Sequence, residues 1–316
     1  MYAPGGGRRN EKMTYRGRFA PTPSGPLHFG SVVAALGSWL DARAHGGEWH
    51  LRIDDLDPPR VAEGAERGIV ETLERLGLTW DGPVVRQSDR AEAYADALSQ
   101  LARRAHLYRC TCSRRAIAEA GLPGIEGPRY PGTCRRRADV YPGPGSWRIE
   151  VSHAVVAFDD LLQGPVTQDL ETAVGDFVVR RSDGVHAYHL ACVVDDAAAG
   201  FTHVVRGADL IDSTPRQIFL QRLLGLPDPV YLHLPVAVDT MGHKLSKQTL
   251  AAPVSMDPPS ATLAMAAAFL GHAPPSDLAA APPADLLAWA VRQWDRSLLP
   301  RVRTAPLPHG KALHPL

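Results

Sequence analysis

The sequence predicts an α/β protein: a parallel nucleotide-type sheet, an antiparallel insertion within it, and short helices after it. Three observations predict this. Strand-like and helix-like apolar runs alternate through the first 105 residues, small apolar clusters separated by turns fill Ser146 to Val179, and alanine-rich segments broken by paired prolines follow Leu250.

Residues 1–16 carry glycine and arginine without an apolar run, so a flexible tail and no signal peptide are expected. Gly17-Arg18-Phe19-Ala20 reads as a short strand. The loop after it holds three prolines and a glycine, and the run from Val32 to Leu40 suits a buried helix. A strand, a tight loop and a helix N-terminus make a phosphate site, because free N–H groups and the helix dipole converge there. His28, in the last turn of the loop, can reach an oxygen of the same anion, and Gly30 leaves room for a flat ring against the backbone. A proline-rich turn ahead of a core helix would read the same way.

Glu48 to Ile53 is the second strand, ending in Asp54-Asp55-Leu56-Asp57 and stopped by Pro58-Pro59. The spacing of Ile69, Leu73 and Leu76 predicts a helix from Glu63 to Leu76, capped by Gly77. Val84 to Ser88 reads as a short strand, and Asp89 to Ala105 as a helix with Tyr94, Leu98 and Leu101 on one face. In such sheets ligands bind at the carboxyl ends of the strands, where the opening loop lies.

Leu107 to Arg137 departs from the alternation. Cys110, Cys112 and Cys134 fall within 25 positions, a clustering that in a reducing compartment favours a metal over a disulfide, with free structural thiols as the alternative. Three thiolates leave tetrahedral zinc one ligand short, and His106 or water would be the unaided choice. The clusters from Ser146 to Val179 suggest an antiparallel insertion. Tyr188 to Val194 returns to the main domain, with Cys192 as packing and Asp195-Asp196 ending the element. Pro215 to Leu224, Ala261 to Leu270 and Ala284 to Leu299 read as helices, and Thr304 to Leu316 has too little periodicity to assign. The expected segments are a tail (1–17), the first half of a nucleotide-binding domain (18–109), a zinc-bearing α+β insertion (110–186), the second half (187–250) and a helical C-terminal subdomain (251–316).

Formal net charge is zero, so no global field draws the chain to nucleic acid. Any RNA contact needs a local patch. Arg114-Arg115 with Arg135-Arg136-Arg137 is a candidate, and a solvated arginine-rich face is the alternative. No run of 18 apolar residues offers a membrane span, and four cysteines argue against a disulfide scaffold, so a cytoplasmic protein is expected.

Far downstream, Gly242-His243-Lys244-Leu245-Ser246-Lys247-Gln248 places two lysines around a serine, able to close over a polyphosphate as pyrophosphate leaves. Together PLHFG and KLSKQ resemble the HIGH and KMSKS signatures of class I aminoacyl-tRNA synthetases. Arg18 to Gly25 (RFAPTPSG), Arg52 to Asp57 (RIDDLD) and Val205 to Leu210 (VRGADL) look like the glutamyl branch, and the resemblance spans about residues 17 to 250. It implies a Rossmann-type catalytic domain that uses ATP with Mg2+ to activate L-glutamate. By resemblance, His28, Gly30, Ser31, Lys244, Ser246 and Lys247 would bind ATP, with His28, Lys244 and Lys247 catalytic. Arg18, Tyr188 and Arg206 would take the glutamate side-chain carboxylate, beside Phe19, Ala20, Pro21 and Thr22, although surface salt bridging would be the choice for the arginines without the motifs. Asp54 would meet the α-ammonium; here the family's R-I-E-D reads Arg52-Ile53-Asp54-Asp55, one methylene shorter. Zinc-bearing relatives use C-x-C and Y-x-x-x-C, which implies a structural zinc on Cys110, Cys112, Tyr130 and Cys134.

In the glutamyl branch a large anticodon-reading module follows the KMSKS-like loop, whereas 68 residues follow Gln248. The compact C-terminus and KLSKQ resemble a short subgroup that activates glutamate without tRNA. Its members then esterify glutamate to the queuosine base at the wobble position of tRNA(Asp), taking the anticodon loop as partner. A monomer without membrane contact is expected. The alternatives are a truncated synthetase charging the 3′ end of tRNA(Glu), a small-molecule nucleotidylyltransferase of the HIGH superfamily, and a non-catalytic zinc-bearing RNA-binding module.

Overall fold

The computed structural model describes residues 14–105, 107–135, 145–239 and 258–307. The first part alternates as expected: β1 (Arg16–Phe19), α1 (Phe29–Ala44), β2 (Glu48–Ile53), α2 (Ala65–Arg75), β3 (Val85–Arg86) and α3 (Ala91–Arg104). β1, β2 and β3 pair in parallel in that order. β3 is shorter than its sequence run, because Gln87–Arg90 turn into a 3-10 helix and Gln87 donates to Asp195. Ile69, Leu73 and Leu76 are fully buried, as their spacing requires.

The middle of the chain supplies β4 (Leu107–Cys110), α4 (Arg114–Glu119), β5 (Ser146–Ile149), β6 (Val155–Asp160), β7 (Gly164–Asp169), α5 (Leu170–Ala173) and β8 (Phe177–Arg180). The expected antiparallel strands divide between two places. β4, β5 and β8 form their own antiparallel sheet, while the β6–β7 hairpin joins the second half of the main fold.

That second half holds α6 (Tyr188–Ala198), β9 (His203–Gly207), α7 (Thr214–Leu224), β10 (Val230–Leu234) and β11 (Val236–Val238). β9 and β10 pair in parallel, with Arg206 opposite His233, and β10 meets β6 at Tyr231 and Asp160. The Thr202 amide donates to the Arg16 carbonyl (2.9 Å), which lays β9 along the edge of β1. Both strands begin at that bond and end at one cleft. Helices α8 (Pro259–Phe269) and α9 (Pro283–Gln293) follow, and β12 (Thr304–Pro306) pairs in parallel with β11. The last strand falls in a stretch whose pattern assigned nothing. The helix expected to reach Leu299 stops at Gln293; Trp294 leaves it extended and its indole donates to Asp41 (2.9 Å), beside Arg296 (2.7 and 2.9 Å).

Two apolar layers flank the sheet. One collects Leu36 and Leu40 of α1, Trp49 and Leu51 of β2, Leu263 of α8 and Leu286 of α9. The other collects Leu101 of α3, Leu190 and Val193 of α6, and Ile218 and Leu220 of α7. Helix α1 is apolar all round because the sheet covers one side and α8 with α9 the other. Gly37 reflects that crowding, since a Cβ there would stand 2.5 Å from Leu234 Cδ1 and 3.3 Å from Leu270 Cδ1.

Asp195 and Asp196 do not end their element: α6 runs on to Ala198 with both carboxylates buried. Buried cations explain why. Asp196 accepts from Arg18 Nε (3.2 Å) and Nη2 (3.3 Å) and from Arg52 Nη1 (2.5 Å). Arg52 also donates to Asp54 from Nε (2.6 Å), and Asp195 accepts from Tyr94, Gln87 and Arg90. Burial pushes the Asp196 carboxyl up, but the Arg18 and Arg52 charges outweigh it and hold it below the usual carboxylate range.

Asp196→Ala is expected to strand two buried guanidiniums and cost about 3–5 kcal/mol, read as a lower urea midpoint. Because the folded-state carboxyl is depressed, its contribution is complete above about pH 4 and fades as pH falls through the lower folded value. Asp196→Asn is therefore expected to flatten the acid limb of stability against pH.

Candidate active site

A cleft of about 590 Å³ opens at the carboxyl ends of β1 and β9, where the two strand halves separate. Phe19, Ala20, Pro21 and Thr22 leave β1 and form one wall. The loop is tied down: the Asp54 amide donates to the Pro21 carbonyl (2.9 Å), Ala62 to Pro23 (2.9 Å) and Ser24 to Thr22 (2.8 Å). Gly25 turns it at φ +133°, a conformation that favours glycine.

His28, Gly30 and Ser31 line the cleft where α1 begins. His28 is extended (φ −98°, ψ 169°) and caps the helix, its Nδ1 accepting from the Ser31 amide (3.3 Å). That bond leaves the proton on Nε2, which lies 3.1 Å from Ser31 Oγ. The ring is thus oriented at the positive end of a 16-residue helix, where oxyanions are favoured.

Arg18, Tyr188 and Arg206 line the same cleft. The sheet explains the arginines, since each lies near the end of its strand and the strands are neighbours. Their settings differ. Arg18 is paired to a carboxylate, whereas Arg206 donates to neutral groups: Thr214 Oγ1 (2.8 Å), Gln217 Oε1 (2.7 Å) and His233 Nε2 (3.2 Å). Arg206 Nη1 is buried without a hydrogen-bond partner among the described residues. A substrate carboxylate suits this fork.

Asp54 is not among the cleft-lining residues. It is buried beneath the loop, its carboxylate bonded to Arg52, and in this arrangement it supports the Pro21 backbone. Lys244, Ser246 and Lys247 lie outside the described residues, as do His106, Arg136, Arg137 and residues 1–13.

The second site is in the insertion. The sulfurs of Cys110, Cys112 and Cys134 lie within 4.8 Å of one another, Cys112 and Cys134 at 3.6 Å. Tyr130 places its hydroxyl 3.9 Å from Cys112 Sγ and accepts the Cys134 amide (2.7 Å). Burial raises the Cys112 thiol, while at Cys134 burial is outweighed by bonds from Tyr130 and the Thr111 backbone, which lower it. Three sulfurs and a phenolic oxygen around one point fit a tetrahedral metal ion. The small core of the segment is Tyr108, Tyr130, Cys110 and Cys134 with Cys112 and Ile117 against it. Arg135, proposed above for a basic patch, is already engaged: it donates to buried Asp176 (2.7 and 2.6 Å) and to Ser152 (2.8 Å). Arg114 remains exposed.

The model of the catalytic domain of class I tRNA synthetases (E and Q) matches residues 14–261. The chain is 53% identical to a glutamyl-Q tRNA(Asp) synthetase of Aromatoleum aromaticum, over 93% of each chain. The chain belongs to the glutamyl-Q tRNA(Asp) synthetase family of class I tRNA synthetases. A Pseudomonas aeruginosa member is 50% identical, over 93% of this chain and 98% of that one. Among solved structures, the glutamate-tRNA synthetase of Elizabethkingia anophelis superposes with a TM-score of 0.77 at 25% identity, covering 94% of this chain and 68% of that one. The class I fold and the family therefore agree with the expectation from the two signature loops.

Several residues that shape the cleft carried no motif. His233 interrupts the apolar strand Val230–Leu234, and Asp160 ends the β6 run; a polar residue inside a buried strand was the available signal. Gln217 was hidden in an amphipathic helix, and Arg60, at the cleft rim, looked like part of a proline stop.

The cysteine cluster predicts a single tightly held metal ion per chain by elemental mass spectrometry. Cys112→Ser is expected to lose most of it and to increase hydrogen exchange in β4 and the Tyr130 loop, leaving β1 and β9 protected.

Proposed function

We propose that this chain joins L-glutamate to AMP using ATP, without needing tRNA, and transfers the glutamyl group to the queuosine base at the wobble position of tRNA(Asp). The observation that carries the glutamate step is a pair of arginine side chains at neighbouring strand ends, opening into the cleft that also holds His28 and the α1 N-terminus. The choice of RNA is supported by the relatives, glutamyl-Q tRNA(Asp) synthetases by name, that this chain matches over 93% or more of their length.

In the first step a carboxylate oxygen of glutamate attacks the α-phosphorus of ATP. The bond to the oxygen bridging the α- and β-phosphates breaks, and pyrophosphate leaves with that electron pair. No protein nucleophile is required, so positioning and charge stabilisation carry the rate. On this reading Arg206, with Arg18 and Tyr188, takes the side-chain carboxylate; Thr22 and the Phe19–Pro21 backbone face the reacting end; Asp54 serves the ammonium side from beneath the loop. His28, Gly30 and Ser31 hold phosphates, and Lys244, Ser246 and Lys247 complete the ATP site. Mg2+ would accompany ATP as its counter-ion. In the second step a hydroxyl of queuosine attacks the acyl carbon and AMP leaves.

The three sulfurs with Tyr130 are assigned a structural zinc that staples the insertion. Arg114 is assigned to the RNA backbone, which makes binding salt-dependent. Residues 18–109 and 187–250 act as halves of the nucleotide domain around the 110–186 insertion, with 251–316 appended, in a cytoplasmic monomer. Among the described residues no helix is long and apolar enough to cross a membrane.

Labelled glutamate is expected to enter tRNA from queuosine-making cells and not tRNA from cells that cannot make it; equal acceptance would favour charging of the tRNA(Glu) 3′ end. Glutamate-dependent ATP–pyrophosphate exchange is expected without RNA. His28→Ala is expected to slow that exchange by about a hundredfold or more, with glutamate affinity within about twofold.

A further inference from the structure

Arg206 is held from behind by an arrangement that the motifs do not announce. The parallel register sets His233 of β10 opposite Arg206 of β9, and His233 is fully buried. Its Nδ1 lies 2.6 Å from Asp160 Oδ2. Asp160 is itself fixed by the Leu162 (3.0 Å), Gln163 (2.8 Å) and His233 (3.1 Å) amides. A carboxylate only accepts, so the Nδ1 position carries the imidazole proton. Nε2 is then a lone pair, and it accepts from Arg206 Nε (3.2 Å) with Thr214 Oγ1 3.1 Å away.

We infer that His233, its tautomer set by Asp160, is a positioning residue that holds Arg206 toward the substrate's side-chain carboxylate without neutralising its charge. This rests on the assignment of Arg206 to that carboxylate. An aspartate in place of His233 would hold the guanidinium equally well but would compete with the substrate for it. A neutral imidazole orients without competing. Asp160 stays one residue removed, behind the ring. Gln217 repeats the device: its Oε1 takes Arg206 Nη2, while its Nε2, like Arg206 Nη1, is buried without a partner among the described residues. Arg206 Nη1, on the cleft wall, therefore keeps a donor for an acceptor, and a carboxylate offers two oxygens where an amide offers one. Burial and the Arg206 charge hold His233 down to about 4 against the pull of Asp160, which favours the neutral ring.

The test is equilibrium dialysis of L-glutamate, L-glutamine and ATP against four variants of the full chain. His233→Phe keeps the ring volume and removes the acceptor; the glutamate Kd is expected to rise about tenfold, with the preference over glutamine falling in step and ATP affinity unchanged. His233→Gln restores an acceptor near Nε2 and is expected to stay within about threefold of wild type. Asp160→Asn lets an amide donate to Nδ1, moves the proton to Nε2 against Arg206, and is expected to match His233→Phe. Arg206→Ala is the control on the underlying assignment. If it leaves glutamate binding unchanged, that assignment fails. If it weakens binding while His233→Phe and Asp160→Asn do not, the positioning role alone fails. Equal losses in His233→Phe and His233→Gln, tracking melting temperature and extending to ATP, would show a merely structural histidine. Long-range ¹H–¹⁵N correlation on the unmutated protein is independent of how the variants fold: a proton on Nδ1 is expected, and one on Nε2 overturns the inference.

Discussion

Two arginines from adjacent strands share one carboxylate in the dry centre of this molecule, and the geometry of the cleft follows from that contact. Arg18 and Arg52 each leave their strand toward α6, where Asp196 accepts from both. Isolated charges at such depth would be costly, and geometry is what makes the group tolerable: Asp54 completes Arg52, and Asp195 is filled by Arg90, Gln87 and Tyr94. An apolar cluster of equal volume could hold the halves together as well. It could not present a cation at a fixed point on the cleft wall. The ion group thus links packing to chemistry, because the contact that seats α6 on β1 and β2 also sets where Arg18 stands.

The second arginine is handled in the opposite way. Arg206 sits among a hydroxyl, an amide and a neutral imidazole, which fix its plane without a carboxylate bonded to it among the described residues. Arg18 is thus held by a carboxylate and Arg206 by neutral groups, and they stand at neighbouring strand ends because β9 lies along β1. The cysteine-bearing insertion follows a third principle. Around the cysteines the apolar interior is small, Tyr108 and Tyr130 with the sulfurs, whereas Ile149, Phe177 and Val179 behind it pack into the core of the main fold.

Much of this was legible in the sequence, for identifiable reasons. Alternating runs gave β2 to the residue, because Trp49, Leu51 and Ile53 must all be buried while Pro58-Pro59 ends the strand. Ile69, Leu73 and Leu76 gave α2. The loop from Pro21 to Ser31 and the cysteine spacing announced both sites, since phosphate and metal chemistry dictate residue type at short range. What stayed hidden depends on long-range pairing. Asp195-Asp196 looked like a stop signal because their cations lie more than a hundred positions away. Asp54 matched a motif, yet its carboxylate turns to Arg52 instead of lining the cleft. His233 gave only the faint sign of a polar residue in a buried strand, and β12 gave none, being three residues whose pairing is set by β11. Arg135 looked like a surface charge because nothing local reveals that Asp176 waits for it.

One side of helix α1 rests on the sheet, and the other is closed by residues from near the other end of the chain. Its Phe29 meets Phe269, and Leu263, Leu270 and Leu286 complete the layer over Leu36 and Leu40. During synthesis some two hundred residues must leave the ribosome after α1 before that cover exists. Until then the nascent chain displays an apolar face beside the loop from Pro21 to Ser31. The first strand and helix are therefore made early and finished late, and premature termination anywhere before α8 should yield a sticky, degradable fragment rather than a smaller working enzyme.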